Sequence, residues 1–152
     1  MTPTWVLLAD EGRARFLELP VTGGELREVD ELTDAGAHAD NAALRRDAYG
    51  RRSGADRGMG ASNMESAGEE PLDHEAELFA RRVAAHLLQA HRKHRYEALR
   101  IAAAPRFLGR LRKQLDPEVQ HAIVDEIDKD LLQLGERELT LRFFPQGPQN
   151  AA

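Results

Sequence analysis

Three short segments at the start of the chain restrict its architecture more than any other feature. Residues 4–10 (TWVLLAD) form an apolar run of strand length, and Glu11-Gly12 follows as a turn signal. Residues 13–19 (RARFLEL) alternate, with Ala14, Phe16 and Glu18 on one side and Arg15, Leu17 and Leu19 on the other. Thr22-Gly23-Gly24 marks a second turn, and residues 25–32 make a third strand. The register of that third strand is ambiguous, because polar residues separate Leu26 from Val29 and Leu32. Three strands joined by tight turns read as an antiparallel meander.

The pattern then stops. Residues 33–71 are far longer than the usual connection of about 4–6 residues in a compact domain. Gly50, Gly54, Gly58, Gly60 and Gly68 punctuate this stretch, with almost no core material between them. Its composition is that of a long flexible loop, cut first by proteases between about Arg45 and Gly68. Periodicity resumes in residues 73–94. Leu72, Ala76, Phe79, Val83, Leu87 and Ala90 fall at three- and four-residue spacing and form one apolar helical stripe. Asp73 is the expected N-cap, Glu75 and Glu77 suit the first turns, and Arg92, Lys93, His94 and Arg95 suit the C-terminal dipole.

Residues 96–104 (YEALRIAAA) read as a strand whose small apolar end suits burial on both faces, as in a parallel central strand. Pro105 opens a second helix with Phe107, Leu108, Leu111 and Leu115 on its core face. Asp116-Pro117 starts a short helical turn. Residues 121–128 (HAIVDEID) fit either a helix or a strand, and residues 135–143 fit a last helix. The order β-β-β-loop-α-β-α-β-α gives one α/β domain over residues 1–144 and a disordered tail over 145–152. Its mixed five-stranded sheet carries helices on its faces, in the order of a ribonuclease H-like fold.

Charge is unevenly distributed. Residues 81–115 hold ten bases and one acid, a net +9 in a chain whose total is −5. Residues 116–138 hold eight acids and two bases. Such a basic run is either a solvated face neutralised by acids elsewhere or a surface for a polyanion. Arg106, Arg110 and Lys113 share one face of the second helix, and Arg45, Arg46, Arg51, Arg52 and Arg57 lie in the loop. Tyr49, Tyr96 and Phe107 are the few rings available for base stacking.

Catalytic chemistry finds little support. The chain has no cysteine, which removes thiolate catalysis and disulfides and fits a reducing compartment. Its serines, Ser53, Ser62 and Ser66, all lie in the loop without a strand–turn–helix elbow. Asp10, Asp125, Asp128 and Asp130 are candidate acids for a metal-dependent nuclease, but no converging partners are visible. His86, His91 and His94 share a helix crowded with cations, so they read as an extension of the basic surface rather than metal ligands. The N-terminal apolar run is too short for a signal peptide or membrane span. The expectation is a cytoplasmic, non-catalytic protein with no metal, cofactor or membrane partner.

The segments WVLLADEGRARFLEL, DHEAELFARRVAAHL, IAAAPRFLGRLRKQL and VDEIDKDLLQL, in that order, resemble the bacterial host attachment protein family. APRFLGRLRKQL followed by EIDKDL is the most specific part. The resemblance implies a role in attaching bacteria to host tissue, and a strand at residues 121–128. That family in turn looks like the middle domain of archaeal and eukaryotic peptide-chain release factors, whose corresponding loop carries Gly-Gly-Gln into the ribosome. Here the loop reads GRRSGADRGMGASNM, with Gly58-Met59-Gly60 as the nearest string, which argues against peptidyl-tRNA hydrolysis. The expected partner is therefore RNA, most plausibly the ribosome, in a rescue or hibernation-type role. The expected contacts are Arg45, Arg46, Arg51, Arg52, Arg57, Arg92, Lys93, Arg95, Arg106, Arg110 and Lys113. The rivals are a protein-interaction role in attachment and a metal-dependent nuclease.

Overall fold

The computed structural model describes residues 3–34 and 71–145. The long loop, with its five arginines and the expected protease sites, and the tail beyond Pro145 lie outside the described residues. In chain order the elements are β1 (Thr4–Ala9), β2 (Arg13–Leu19), β3 (Arg27–Thr33), α1 (Pro71–Arg92), β4 (Ala98–Ala103), α2 (Pro105–Gln114), α3 (Pro117–Ala122), β5 (Ile123–Ile127) and α4 (Glu136–Phe143).

They build one open five-stranded mixed sheet in the order β3-β2-β1-β4-β5. β1–β2 and β2–β3 are antiparallel, as the tight turns require, while β1–β4 and β4–β5 are parallel. The two central strands are apolar on both faces because each face is covered. Trp5, Leu7, Ala9, Leu99, Ile101 and Ala103 pack beneath α1, α2 and α3. Val6, Leu8 and Ala102 pack with Leu131, Leu132, Leu139 and Phe143 on the α4 side. Among the described residues no helix is long and apolar enough to cross a membrane.

A bulge resolves the ambiguous register of β3. Phe16 pairs with Asp30 and Leu17 pairs with Glu28, so Val29 is an extra residue on β3. The bulge lets Val29 and Leu32, an odd number of positions apart, both pack against the helix-covered core. Leu26, before the strand, is buried in the opposite cluster.

Helix ends depart from the sequence pattern in two places. α1 begins at Pro71, so Asp73 lies in its first turn and is not the N-cap. Pro tolerates a first helical position because its missing N–H had no partner there. At the other end α1 stops at Arg92, and His94 takes a left-handed φ of 59°. The Arg95 amide donates to the Ala90 carbonyl at 2.9 Å, closing the helix end over a position that glycine usually fills. Pro105 does start α2. Asp116 caps α3 by accepting from the Glu118 amide at 2.9 Å. The chain leaves α3 directly into β5, so the strand alternative for residues 121–128 prevails over the helical one at residues 123–127.

Candidate functional site

The ten bases of residues 81–115 do not form one surface, because α1, β4 and α2 carry them to different places. Arg100 points from β4 to the α4 side, 4.9 Å from the Phe144 ring centre and 3.7 Å from the Asp125 carboxylate. Arg95 lies 4.8 Å from the Trp5 ring centre and pairs with Asp30 at 3.0 Å. Arg92 donates to Glu118 at 3.0 and 3.2 Å, and Arg112 donates to Glu126 at 2.6 and 2.9 Å. Arg82 donates to the Thr33 carbonyl at 3.3 Å and sits over Phe79.

Arg110 is the clearest departure from the expected cationic face. It is only 19% exposed and donates to the Asp73 carboxylate at 3.0 Å and the Asp73 carbonyl at 3.4 Å. It therefore ties α2 to the first turn of α1, beside the Phe79–Phe107 ring contact. Of the expected contacts, then, Arg92, Arg95 and Arg110 are engaged by the protein's own carboxylates. Glu118, Asp125 and Glu126, all from the acidic stretch, hold Arg92, Arg100 and Arg112.

Lys93, Arg106 and Lys113 are exposed and make no ion pair among the described residues, and Arg81 joins them. Arg106 and Lys113 are seven residues apart, which returns them to one face of α2 about 10 Å apart along its axis. Arg45, Arg46, Arg51, Arg52 and Arg57 lie outside the described residues. Lys93 and the free cations on α2 are thus the part of the expected interface that the fold leaves open among the described residues.

Two expectations about side chains fail. Tyr96 and Phe107 cannot stack on bases, being 2% and 0% exposed. Phe107 is a core residue of α2. The Tyr96 hydroxyl donates to the Leu87 carbonyl at 2.8 Å. Burial pushes that hydroxyl well above the ordinary phenol range, and the Glu118 carboxylate adds to the shift. Nor do the histidines simply extend a basic surface. The His86 ring packs 4.4 Å from Phe16, centre to centre, with its Nε2 3.0 Å from Asp30. His91 stands 3.6 Å from Glu118 and packs against Tyr96. Only His94 of the three is exposed.

A polar–aromatic cluster therefore stands where the sequence suggested only core and surface. Asp30 of β3 receives both His86 and Arg95, around the buried Trp5. No local pattern announces it, because its members come from β1, β3, α1 and the turn before β4.

Three of the four candidate acids have structural duties, and Asp128 is exposed. Asp10 Oδ1 accepts the Gly12 and Arg13 amides, both at 2.9 Å, and so shapes the β1–β2 turn. Asp125 pairs with Arg100, and Asp130 accepts the Leu132 amide at 3.0 Å. Among the described residues no three His, Asp or Glu side chains gather where they could hold a metal.

The fold and surface define a mixed α/β protein with an open sheet, a helical face laced by ion pairs, and a small set of free cations on α2. The chain belongs to the family described as "Protein required for attachment to host cells", whose model matches residues 5–142. That span runs from the second residue of β1 to the next-to-last residue of α4. None of the curated proteins compared with the chain matches it.

Proposed function

We propose that this attachment-family protein is a non-catalytic, cytoplasmic module that binds RNA, with the ribosome as its partner. The observation that carries the proposal is the pair Arg106 and Lys113. Both are exposed, both lack carboxylate partners among the described residues, and both stand on one face of a rigid helix. Fixed cations of this kind neutralise phosphates without a local acid competing for them. The order of the sequence segments, similar to that of release-factor middle domains, supports the ribosome as the source of the RNA. The lack of Gly-Gly-Gln favours a rescue or hibernation-type role over peptide release.

Co-sedimentation with ribosomes at low and high salt tests it. Wild-type protein should pellet with ribosomes at low salt and be released at high salt, and Arg106→Ala/Lys113→Ala should pellet less at low salt. Wild-type protein that stays in the supernatant at low salt defeats the proposal.

The family description favours a second reading, in which the protein acts through a protein partner during attachment to host cells. Loss of adhesion on deleting the gene, with full rescue by Arg106→Ala/Lys113→Ala, would support that reading over the first.

A further inference from the structure

The buried aromatic residues say which form of RNA this surface can take. The chain has eight aromatic side chains, and seven of them lie among the described residues. Trp5, Phe16, Phe79, Tyr96, Phe107, Phe143 and Phe144 are all 5% exposed or less. A protein that holds unpaired bases does so chiefly by stacking them on exposed rings, each worth roughly tenfold in affinity per base. The described surface offers no such ring.

Arginine can replace a ring in stacking, because its planar guanidinium covers a base. Here most of those planes are committed. Arg82, Arg95 and Arg100 already lie over Phe79, Trp5 and Phe144. Arg92, Arg110 and Arg112 are held by Glu118, Asp73 and Glu126. Within residues 81–115, Arg81, Lys93, Arg106 and Lys113 remain free for a ligand among the described residues. A lysine ammonium meets a phosphate as a point charge and reads no base.

We infer that the α2 surface binds base-paired RNA through its phosphate backbone, and not unpaired bases. This inference rests on the RNA-binding proposal above and narrows it. The positions of Arg106 and Lys113 are fixed by helix geometry, about 10 Å apart along the axis. A duplex presents phosphates that are equally fixed, so on docking the freedom lost is chiefly that of the two side chains. A single strand would have to be ordered along the helix with no ring among the described residues to offset that loss. Double-stranded RNA is recognised in this way, by shape and backbone with little base readout.

The test is a binding titration of the full chain against three probes of equal negative charge. These are an RNA duplex, an unstructured single-stranded RNA and heparin, each over a range of salt. The duplex should bind about tenfold tighter than the single strand, which finds no exposed ring to stack on among the described residues. Arg106→Ala/Lys113→Ala should weaken duplex binding and flatten its log–log salt slope by about 2, at roughly one unit per lost phosphate contact. Both residues are exposed, so unchanged circular dichroism and unfolding midpoint should accompany the loss.

A single strand that binds as tightly as the duplex overturns the inference while leaving RNA binding intact. Heparin bound as tightly as the duplex overturns it in favour of a sulfated polysaccharide. A variant that binds the duplex as wild type does moves the contact off α2 and also overturns it. Failure of both RNA probes to bind at low salt overturns the RNA-binding proposal itself.

Discussion

Arg106 and Arg110 are one helical turn apart on the same face of α2, yet their replacement by alanine should have different consequences for stability. Arg106 is exposed and unpaired, so Arg106→Ala should change the unfolding free energy by no more than about 0.5 kcal/mol. Arg110 has three contributions to lose. Its ion pair with Asp73 is partly exposed, at 19% and 39% for the two side chains, so solvent screening limits it to about 0.5–1 kcal/mol. Its side chain is only 19% exposed, and the loss of the area buried by its methylene stem costs about another 0.5 kcal/mol. The bond to the Asp73 carbonyl is long, at 3.4 Å, and contributes little. One term runs the other way: the Arg110 Nε is buried without a partner, and truncation relieves it. Before that relief the losses add to about 1–1.5 kcal/mol, which is the upper bound for Arg110→Ala. For a chain of this length that is a fall in melting temperature of about 2–6 °C. A double-mutant cycle with Asp73→Ala isolates the pair from the effect of Asp73 on the α1 dipole, and should give a coupling of about 0.5–1 kcal/mol. Thermal and urea unfolding followed by circular dichroism measure all five proteins, the wild type, the three single variants and the double variant. Equal losses at Arg106 and Arg110, or a coupling of zero, would refute the assignment of Arg110 to the α1–α2 clamp.

Three further outcomes are expected. Leu87→Ala should cost about 2–5 kcal/mol in urea unfolding, and Leu88→Ala clearly less, because Leu87 is 0% exposed while Leu88 only borders the core. His94→Gly should raise the unfolding free energy by up to about 1 kcal/mol by removing the left-handed strain at φ 59°, and a decrease would mean the His94 side chain supports the turn. Tyr96→Phe should cost about 1 kcal/mol at neutral pH through the lost bond to Leu87. The folded phenol titrates above the unfolded one, so its stabilisation is complete below about pH 10 and is lost as pH rises beyond it. Urea midpoints measured against pH should therefore fall less steeply on the alkaline side in Tyr96→Phe, and an unchanged alkaline decline would remove Tyr96 as its cause.

Much of the fold is legible locally. Alternation in residues 13–19 assigns Phe16 and Leu17 to opposite cores without knowledge of any partner strand. The stripe from Ala76 to Ala90 specifies the buried side of α1, and Asp116-Pro117 starts α3 where a cap and a proline must. These features follow from sequence because backbone geometry repeats every two or 3.6 residues, so neighbours along the chain carry the information. The double burial of β1 is likewise written in its apolar run from Trp5 to Ala9, and that of β4 in its small apolar end from Ile101 to Ala103.

The fate of each charge was decided only by tertiary structure. On a helical wheel Arg106, Arg110 and Lys113 are equivalent, yet only Arg110 meets the first turn of α1, 37 positions earlier in the chain. Arg15 shares its side of the alternating strand with Leu17 and Leu19, and it is a charged residue only 7% exposed. It is held there by Glu28 and by the carbonyls of Leu132 and Leu134, 117 and 119 positions away. Asp30 gathers His86 and Arg95 because its register opposite Phe16 places it on the α1 side of the sheet. A charged side chain reaches several ångströms and accepts any carboxylate or carbonyl in range, so its partner depends on which elements pack together and not on sequence spacing. The sequence by itself therefore determined the elements, the two cores and the total of positive charge. The packing of α1, α2 and the acidic segment determined which of those charges remain available to bind.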